Sequence, residues 1–171
     1  MREIRSMRGV SLVELLVTIG IVGCGIVMII NGYHRYVKNI NNVEIRLRAA
    51  QVLENIKEEI MVKKYKDNSP NMVFGPEPGE IQKIRSTLND IDDYNELFTE
   101  VVDSHGVPPG GYENYFIRVD VYNFNIEENK EVSRLEDTGT RKIVIQVLYK
   151  DRVINKVEII KTDSEKPYGN H

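Results

Sequence analysis

The chain has 171 residues, of which 41% are hydrophobic and 29% charged, and its formal net charge is −3. This length favours a single domain, and an acidic balance without a basic block gives no support for nucleic-acid binding. The single cysteine, Cys24, excludes an internal disulfide and a cysteine-based metal cluster within this sequence.

The N-terminal part carries a long apolar segment. Residues 10–30 contain one charge, Glu14. As a helix they would span about 31 Å, enough to cross a hydrocarbon core of roughly 30 Å. Residues 1–9 hold three arginines against one glutamate, so the positive-inside rule keeps this leader in the cytoplasm. We therefore predict a single-pass protein of the cell (inner) membrane whose C-terminal part is extracytoplasmic.

The helix is predicted to continue beyond the membrane. Residues 31–67 contain no proline and only Gly32 as a helix breaker, and the Asn68-Ser69-Pro70 sequence is a stop signal. Apolar residues recur there at a spacing of three or four, which predicts one stripe along one face that needs a partner surface. The stripe consists of Tyr36, Ile40, Val43, Leu47, Ala50, Leu53, Ile56 and Ile60.

Two stretches are predicted to be largely irregular. Residues 68–114 contain prolines and glycines, which are signals for loops, and short apolar runs between them. Within them a helical spacing predicts a short second helix or a turn-rich segment, formed by Ile81, Ile84, Leu88 and Ile91. Residues 163–171 are interpreted as a flexible tail.

An antiparallel sheet is predicted over residues 115–162. Tyr115–Tyr122 alternates apolar and polar residues, as a half-buried strand does. Lys142–Tyr149 and Val153–Thr162 flank the polar Lys150-Asp151-Arg152 sequence, which indicates a hairpin. The fold class is therefore α+β, a long N-terminal helix packed on a small antiparallel sheet.

The start of the apolar segment has a recognisable motif. Residues 9–17, Gly9-Val10-Ser-Leu-Val-Glu14-Leu-Leu-Val, resemble the processing site of type IV prepilins and type II secretion pseudopilins. The resemblance implies cleavage by prepilin peptidase between Gly9 and Val10, and N-methylation of Val10, which stands where the family usually has phenylalanine. Glu14 then occupies the fifth mature position, where the family glutamate neutralises the N-terminus of a neighbouring subunit during assembly.

The same resemblance implies a set of partners and a fold. The partners would be prepilin peptidase, other pilin or pseudopilin subunits contacted through the N-terminal helix, an inner-membrane assembly platform, and membrane lipid before assembly. The fold would be pilin-like. Three C-terminal features look like the minor pilin V and pseudopilin I group, whose members sit near a filament tip: Asp93-Tyr94-Asn95, the Tyr115–Tyr122 strand and the Arg141–Val147 strand.

The chemistry of Glu14 points independently to a function. A carboxylate inside a membrane helix is costly, so such a residue is a functional candidate, and the alternative is that it snorkels to the membrane surface. The glycines in the same helix have two interpretations. They form a surface for helix–helix packing and a hinge, or they are glycines that a membrane helix merely tolerates. These residues are Gly20, Gly23, Gly25 and Gly32.

A lipoprotein signal is the alternative interpretation of the N-terminus. Ile21-Val22-Gly23-Cys24 resembles a lipobox, which would place lipid on Cys24 of a membrane-anchored binding module that does not polymerise. Glu14 interrupts such a signal, and the residues after Cys24 stay apolar where lipoproteins usually turn polar.

Other chemistry finds little support in the sequence. The histidines His34, His105 and His171 are too scattered for a metal set, and no catalytic arrangement is recognisable, so we predict no enzyme, cofactor or metal. An acidic group lacks EF-hand spacing and is interpreted as a solvated loop, although some pseudopilins bind calcium in such loops. It comprises Asp90, Asp92, Asp93 and Glu96.

The resulting prediction of function is structural. The chain is expected to be a minor pilin or pseudopilin of a type IV pilus, a type II secretion pseudopilus or a competence-type filament. It would reside in the cell membrane before assembly and in the pilus, pseudopilus or cell surface afterwards.

The N-terminus of the mature protein tests this motif directly. We expect intact mass and N-terminal sequencing of protein from its native membranes to give a chain that starts at Val10 and carries one added methyl group. A lipid-modified start at Cys24 would identify a lipoprotein, and an intact Met1 would leave an uncut membrane anchor.

Overall fold

The computed structural model of the chain describes residues 11–66, 74–134 and 136–163. The predicted leader, the cleavage residues Gly9 and Val10, and residues 164–171 of the predicted tail lie outside these ranges. The chain divides into two compact units, which meet in sequence between Glu44 and Ile45.

A single helix, α1, runs from Leu12 to Met61 and belongs to both units. Its first backbone bond joins the N–H of Leu15 to the carbonyl of Ser11 at 3.0 Å. No proline interrupts it, so the backbone ladder continues where the composition changes from apolar to polar. The predicted continuation beyond the apolar segment is confirmed.

The predicted end of the helix, at residue 67, is wrong, because the helix ends at Met61. The N–H of Lys63 bonds to the carbonyl of Ile60 at 3.1 Å, which tightens the last turn. The Lys161 ammonium, from the last strand, donates to the carbonyl of Met61 at 2.9 Å and also to that of Lys63. A side chain from the last strand thus satisfies one of the terminal carbonyls of the helix, which have no partner within it.

The second unit contains a five-stranded antiparallel sheet. Its strand order is β1-β2-β4-β5, and the short β3 pairs with the end of β2. The predicted α+β architecture is confirmed and is consistent with a pilin-like fold. The strands are β1 Leu97–Glu100, β2 Tyr115–Asn125, β3 Lys130–Glu131, β4 Thr140–Tyr149 and β5 Arg152–Thr162.

The predicted C-terminal hairpin is confirmed. Tyr149 pairs with Arg152, so Lys150 and Asp151 form a two-residue turn with positive φ angles of 48° and 62°. Positive φ at both central positions is the geometry of the type I′ turn, which matches the twist of antiparallel strands. A register shift follows next to Val147.

The region before β2 is the least well predicted. Two 3-10 turns, Arg85–Thr87 and Asp92–Tyr94, replace the short helix and agree with the turn-rich alternative. The sequence analysis missed β1, whose Leu97 pairs with Val119 of β2. A four-residue strand with one fully buried side chain is too short for a clear alternating pattern.

The core of the second unit lies between the end of α1 and one face of the sheet. Ile56 and Ile60 are buried as predicted, but the helix completes its buried face with Ala49 and Val52 instead of the predicted Leu47 and Ala50. The helical face that packs on the sheet is therefore rotated from the predicted stripe. Facing strands contribute Ile117, Val119, Val121, Ile143, Ile145 and Val147.

A buried ion pair joins α1 to the loop before β1. The Arg85 side chain is 4% exposed, and its Nε lies 3.1 and 3.2 Å from the two carboxylate oxygens of Glu59. Its Nη2 donates to the carbonyl of Val102 at 2.9 Å, and the Tyr94 hydroxyl donates to Glu59 at 2.8 Å. Burial raises the pKa of Tyr94, and the Glu59 carboxylate adds to the rise, so the hydroxyl remains a donor.

A second buried pair joins the same loop to the sheet. Arg141 of β4 forms an ion pair with Asp92. The guanidinium also lies over the rings of Tyr65, at 4.7 Å, and Phe74, at 5.0 Å. Burial alone would lower the pKa of the Arg141 guanidinium, but the interactions with Asp92 and Tyr65 outweigh burial, so the pKa is raised. Burial raises the pKa of Tyr65 to about 12.

The acidic segment is not the solvated loop that the sequence predicted. Asp90, Asp92 and Asp93 are all buried, and Glu96 is exposed and pairs with Arg134. Oδ1 of Asp90 accepts the N–H groups of Asp92 and Asp93 at 3.0 and 3.3 Å. These carboxylates build the turn, because short acidic side chains can bond to the backbone a few residues on.

The Glu59–Arg85 pair should be required for the stability of the second unit. Glu59→Gln leaves a buried guanidinium without its countercharge, and we expect the free energy of unfolding to fall by about 2–4 kcal/mol. Denaturant unfolding of the full-length chain in detergent would measure this loss.

The matched control is Glu54→Gln, on the same helix. Glu54 forms a solvent-exposed pair with Lys57, so this substitution should change the free energy of unfolding by less than about 0.5 kcal/mol. Equal effects of the two changes would contradict a special role for the buried pair.

Candidate functional site

In the first unit, the described residues form an apolar helix whose side chains are exposed. Every described residue from 11 to 44 is exposed except Gly25, which is half-buried. Leu12 and Met28 each expose 74% of their surface. Soluble monomers rarely expose contiguous apolar surface on this scale. Among the described residues, α1 is the one helix long and apolar enough to cross a membrane.

Glu14 lies in the first turn of α1, and its side chain is exposed. The N-terminal end of a helix carries partial positive charge, which favours a carboxylate there. From Leu12 to His34 no other carboxylate, lysine or arginine occurs. Gly9 and Val10 lie outside the described residues, so their predicted cleavage and methylation remain predictions.

Within the described residues, no packing contact requires the four helix glycines. A Cβ added at Gly20, Gly23, Gly25 or Gly32 would meet no atom within 4 Å outside the helix's own adjacent backbone. Each glycine in a helix interior costs roughly 0.5–1 kcal/mol relative to alanine. No contact within the described chain offsets that cost, and small residues are the ones that let membrane helices approach closely.

The positions of these residues define one face of α1. At 100° per residue, Gly25, Gly32 and Val43 lie within about 20° of Glu14 around the helix axis. Tyr36 is about 40° away on the same side. The carboxylate, two glycines and two apolar side chains thus share a stripe, which we call the Glu14 face.

The apolar surface continues beyond the predicted membrane span. Tyr36, Ile40 and Val43 are 63%, 46% and 56% exposed. The sequence predicts that this stripe needs a partner surface, and these three side chains stay exposed among the described residues. Their spacing of three to four is the same for intramolecular and intermolecular packing, so the sequence held no signal that separates the two.

The remaining sequence candidates are not brought together into a site. Cys24 is exposed on α1, which continues as a helix on both sides of it. His34 is exposed on the same helix, and the ring of His105 lies 3.3 Å from the hydroxyl of Ser104. Within the described residues no histidine or cysteine belongs to a group that could hold a metal. His171 lies outside these residues.

Comparisons of the chain with protein-family models, with curated proteins and with solved structures give no match.

A paired substitution tests whether α1 is a membrane span. Ile21→Arg with Val22→Arg places two charges at the centre of the span, and each should cost about 3 kcal/mol of insertion free energy. We expect the wild-type chain to stay in the membrane fraction after alkaline carbonate extraction and this variant to be released. Ile40→Arg with Val43→Arg, beyond the span on the same helix, is the matched control and should be retained. Release of both variants alike would argue against a span at residues 10–30.

Proposed function

We propose that this chain is a structural subunit, a minor pilin or pseudopilin, of a type IV-like filament. It would be made as a membrane prepilin, cleaved after Gly9 by a prepilin peptidase, and assembled through α1. The filament would belong to a type IV pilus, a type II secretion system or a competence-type apparatus.

The observation that carries this proposal is the exposed apolar surface on the Glu14 face beyond the membrane span. A span that ends near Ile30 leaves Tyr36 and Val43 about 10 and 20 Å past its end. Lipid tails cannot cover these side chains, whereas helices of neighbouring subunits can. A simple anchor would need no apolar stripe there, so the surface supports assembly over plain anchoring.

The position of Glu14 supports the same mechanism. An unpaired carboxylate near apolar surface is costly, and pairing with a cation removes much of this cost. Cleavage after Gly9 would create an α-amino group at Val10, whose ordinary pKa near 8 leaves it positively charged. The Glu14 carboxylate of one subunit would then pair with the Val10 amine of its neighbour and set their register.

The glycines on the Glu14 face would let the helices of neighbouring subunits come close together along this face. Van der Waals packing between closely spaced helices replaces the missing hydrophobic driving force inside a bilayer. A charged pair at one end and small residues along the face together give a defined orientation to helices that are otherwise uniformly apolar.

The charge of Glu14 should be needed for assembly and not for processing. We expect Glu14→Gln, which keeps the size of the side chain, to be cleaved after Gly9 normally but to be lost from purified filaments. Glu14→Asp retains the charge and should restore at least part of the incorporation. Co-purification with filament subunits and the intact mass of the mature chain are the two measurements.

The control from the membrane test separates assembly from anchoring. Ile40→Arg with Val43→Arg should insert into the membrane and be cleaved, yet fail to enter filaments, because it charges surface that neighbouring helices must cover. Normal incorporation of Glu14→Gln and of this variant would favour a membrane-anchored module that does not polymerise.

A further inference from the structure

Three carboxylates come together in the second unit, in the region between α1 and β1. Glu77 and Glu80 lie in one turn, and Asp93 belongs to the 3-10 turn Asp92–Tyr94. Each side chain offers one oxygen, and these oxygens all lie within 4.8 Å of one another. The sequence analysis did not single out Glu77 or Glu80.

Two oxygens in this group are buried without a hydrogen-bond partner. Asp93 is 1% exposed. Its Oδ2 accepts the N–H groups of Asn89, at 2.8 Å, and Asp90, at 3.0 Å, but its Oδ1 accepts none. Oε2 of Glu77 is also buried and unpaired. Buried polar atoms are almost always satisfied, so two such oxygens at one acidic site indicate a missing partner.

That partner should be a cation. Among the described residues, no lysine or arginine forms an ion pair with any of the three carboxylates. The neighbouring carboxylates of Glu59, which is half-buried, and Asp92, which is buried, each pair with an arginine. The site therefore concentrates negative charge without a countercharge from the described chain.

The third carboxylate is already held in place. Oε2 of Glu80 accepts the N–H of Glu77 at 2.8 Å, and Oε1 accepts the side-chain amide of Asn89 at 2.8 Å. Such outer contacts orient ligand groups before a metal binds. They also fix the two segments that carry the ligands relative to each other.

We propose that Glu77, Glu80 and Asp93 form a binding site for a calcium ion. Hard cations prefer oxygen ligands, and Ca²⁺ accepts carboxylates in flexible geometry at roughly 2.3–2.6 Å. Oxygens on opposite sides of Ca²⁺ are thus about 5 Å apart, so separations within 4.8 Å suit it with little rearrangement. Mg²⁺ binds at about 2.0–2.1 Å, demands near-ideal octahedral geometry and usually keeps several waters, so a site made of three carboxylates suits it less well.

Occupancy of the site would stabilise the connection between α1 and β1. The three ligands tie residues 77–80 to the Asp92–Tyr94 turn, which is bonded in turn to Glu59 of α1 and Arg141 of β4. The proposal does not rest on filament assembly, because all of these residues lie in the second unit and none lies on the Glu14 face.

Calcium titration of the full-length chain in detergent micelles tests the site. After removal of metal with a chelator, Ca²⁺ at ten times its dissociation constant should raise the folding equilibrium constant about elevenfold. For a domain of this size the melting temperature should rise by about 3–6 °C. Isothermal titration calorimetry should give one site per chain.

Matched variants show which residues the calcium response requires. Glu77→Gln should fold like the metal-free wild type and lose the calcium response, and Asp93→Asn should lose it as well. Glu77→Gln keeps the test valid if Asp93→Asn folds poorly. Glu127→Gln, in the exposed turn between β2 and β3, removes one carboxylate elsewhere and should respond normally.

Three results would overturn the assignment. The first is the absence of binding heat and of a shift in melting temperature with Ca²⁺ up to about 10 mM, a concentration well above the usual dissociation constants of extracellular calcium modules. The second is an equal shift in melting temperature with Mg²⁺ at the same concentration. The third is a full calcium response in Glu77→Gln.

Discussion

The structure depends on one constraint: the first part of α1 is apolar, and it stays exposed within the part of the chain that the structure describes. A helix of this kind is stable only where another apolar phase surrounds it, first lipid and then, in the proposed filament, other helices. The second unit begins at Ile45 and has its own core between the end of α1 and the sheet. Among the described residues, the apolar side chains that precede Ile45 are exposed.

Buried charge pairs, not covalent links, hold the irregular part of the second unit. The single cysteine lies on α1 and forms no disulfide. The loop before β1 is instead attached to the helix through Arg85 and Glu59 and to the sheet through Arg141 and Asp92. Breaking such pairs is costly because one charge stays buried, so they give the loop a defined position even where they add little net stability.

Local sequence patterns predicted the parts of the molecule whose structure depends on residues close to one another in sequence. The apolar span, the helix continuing beyond it and the hairpin at Lys150-Asp151 follow from hydropathy, the absence of proline and turn chemistry. The helix end, the rotated core face and the buried acidic turn could not be predicted, because each depends on partners distant in sequence. Lys161 contacts Met61 across the fold, Arg141 neutralises Asp92, and the exposure of Tyr36 is visible only once the core is known. The assignment of Glu14 to assembly rests on both its chemistry and its motif, and it stays a prediction.

The sheet order has a consequence for how copies of the chain can associate. β5 ends the sheet on one side and is eleven residues long, long enough to template a strand from another molecule. Strand edges of this kind are an aggregation hazard that charged side chains suppress. Lys156 and Glu158 are exposed along β5, and Lys142 pairs with Glu158 across the strands. Edge-to-edge growth through the sheet is thereby disfavoured, and the helix is left as the cohesive element.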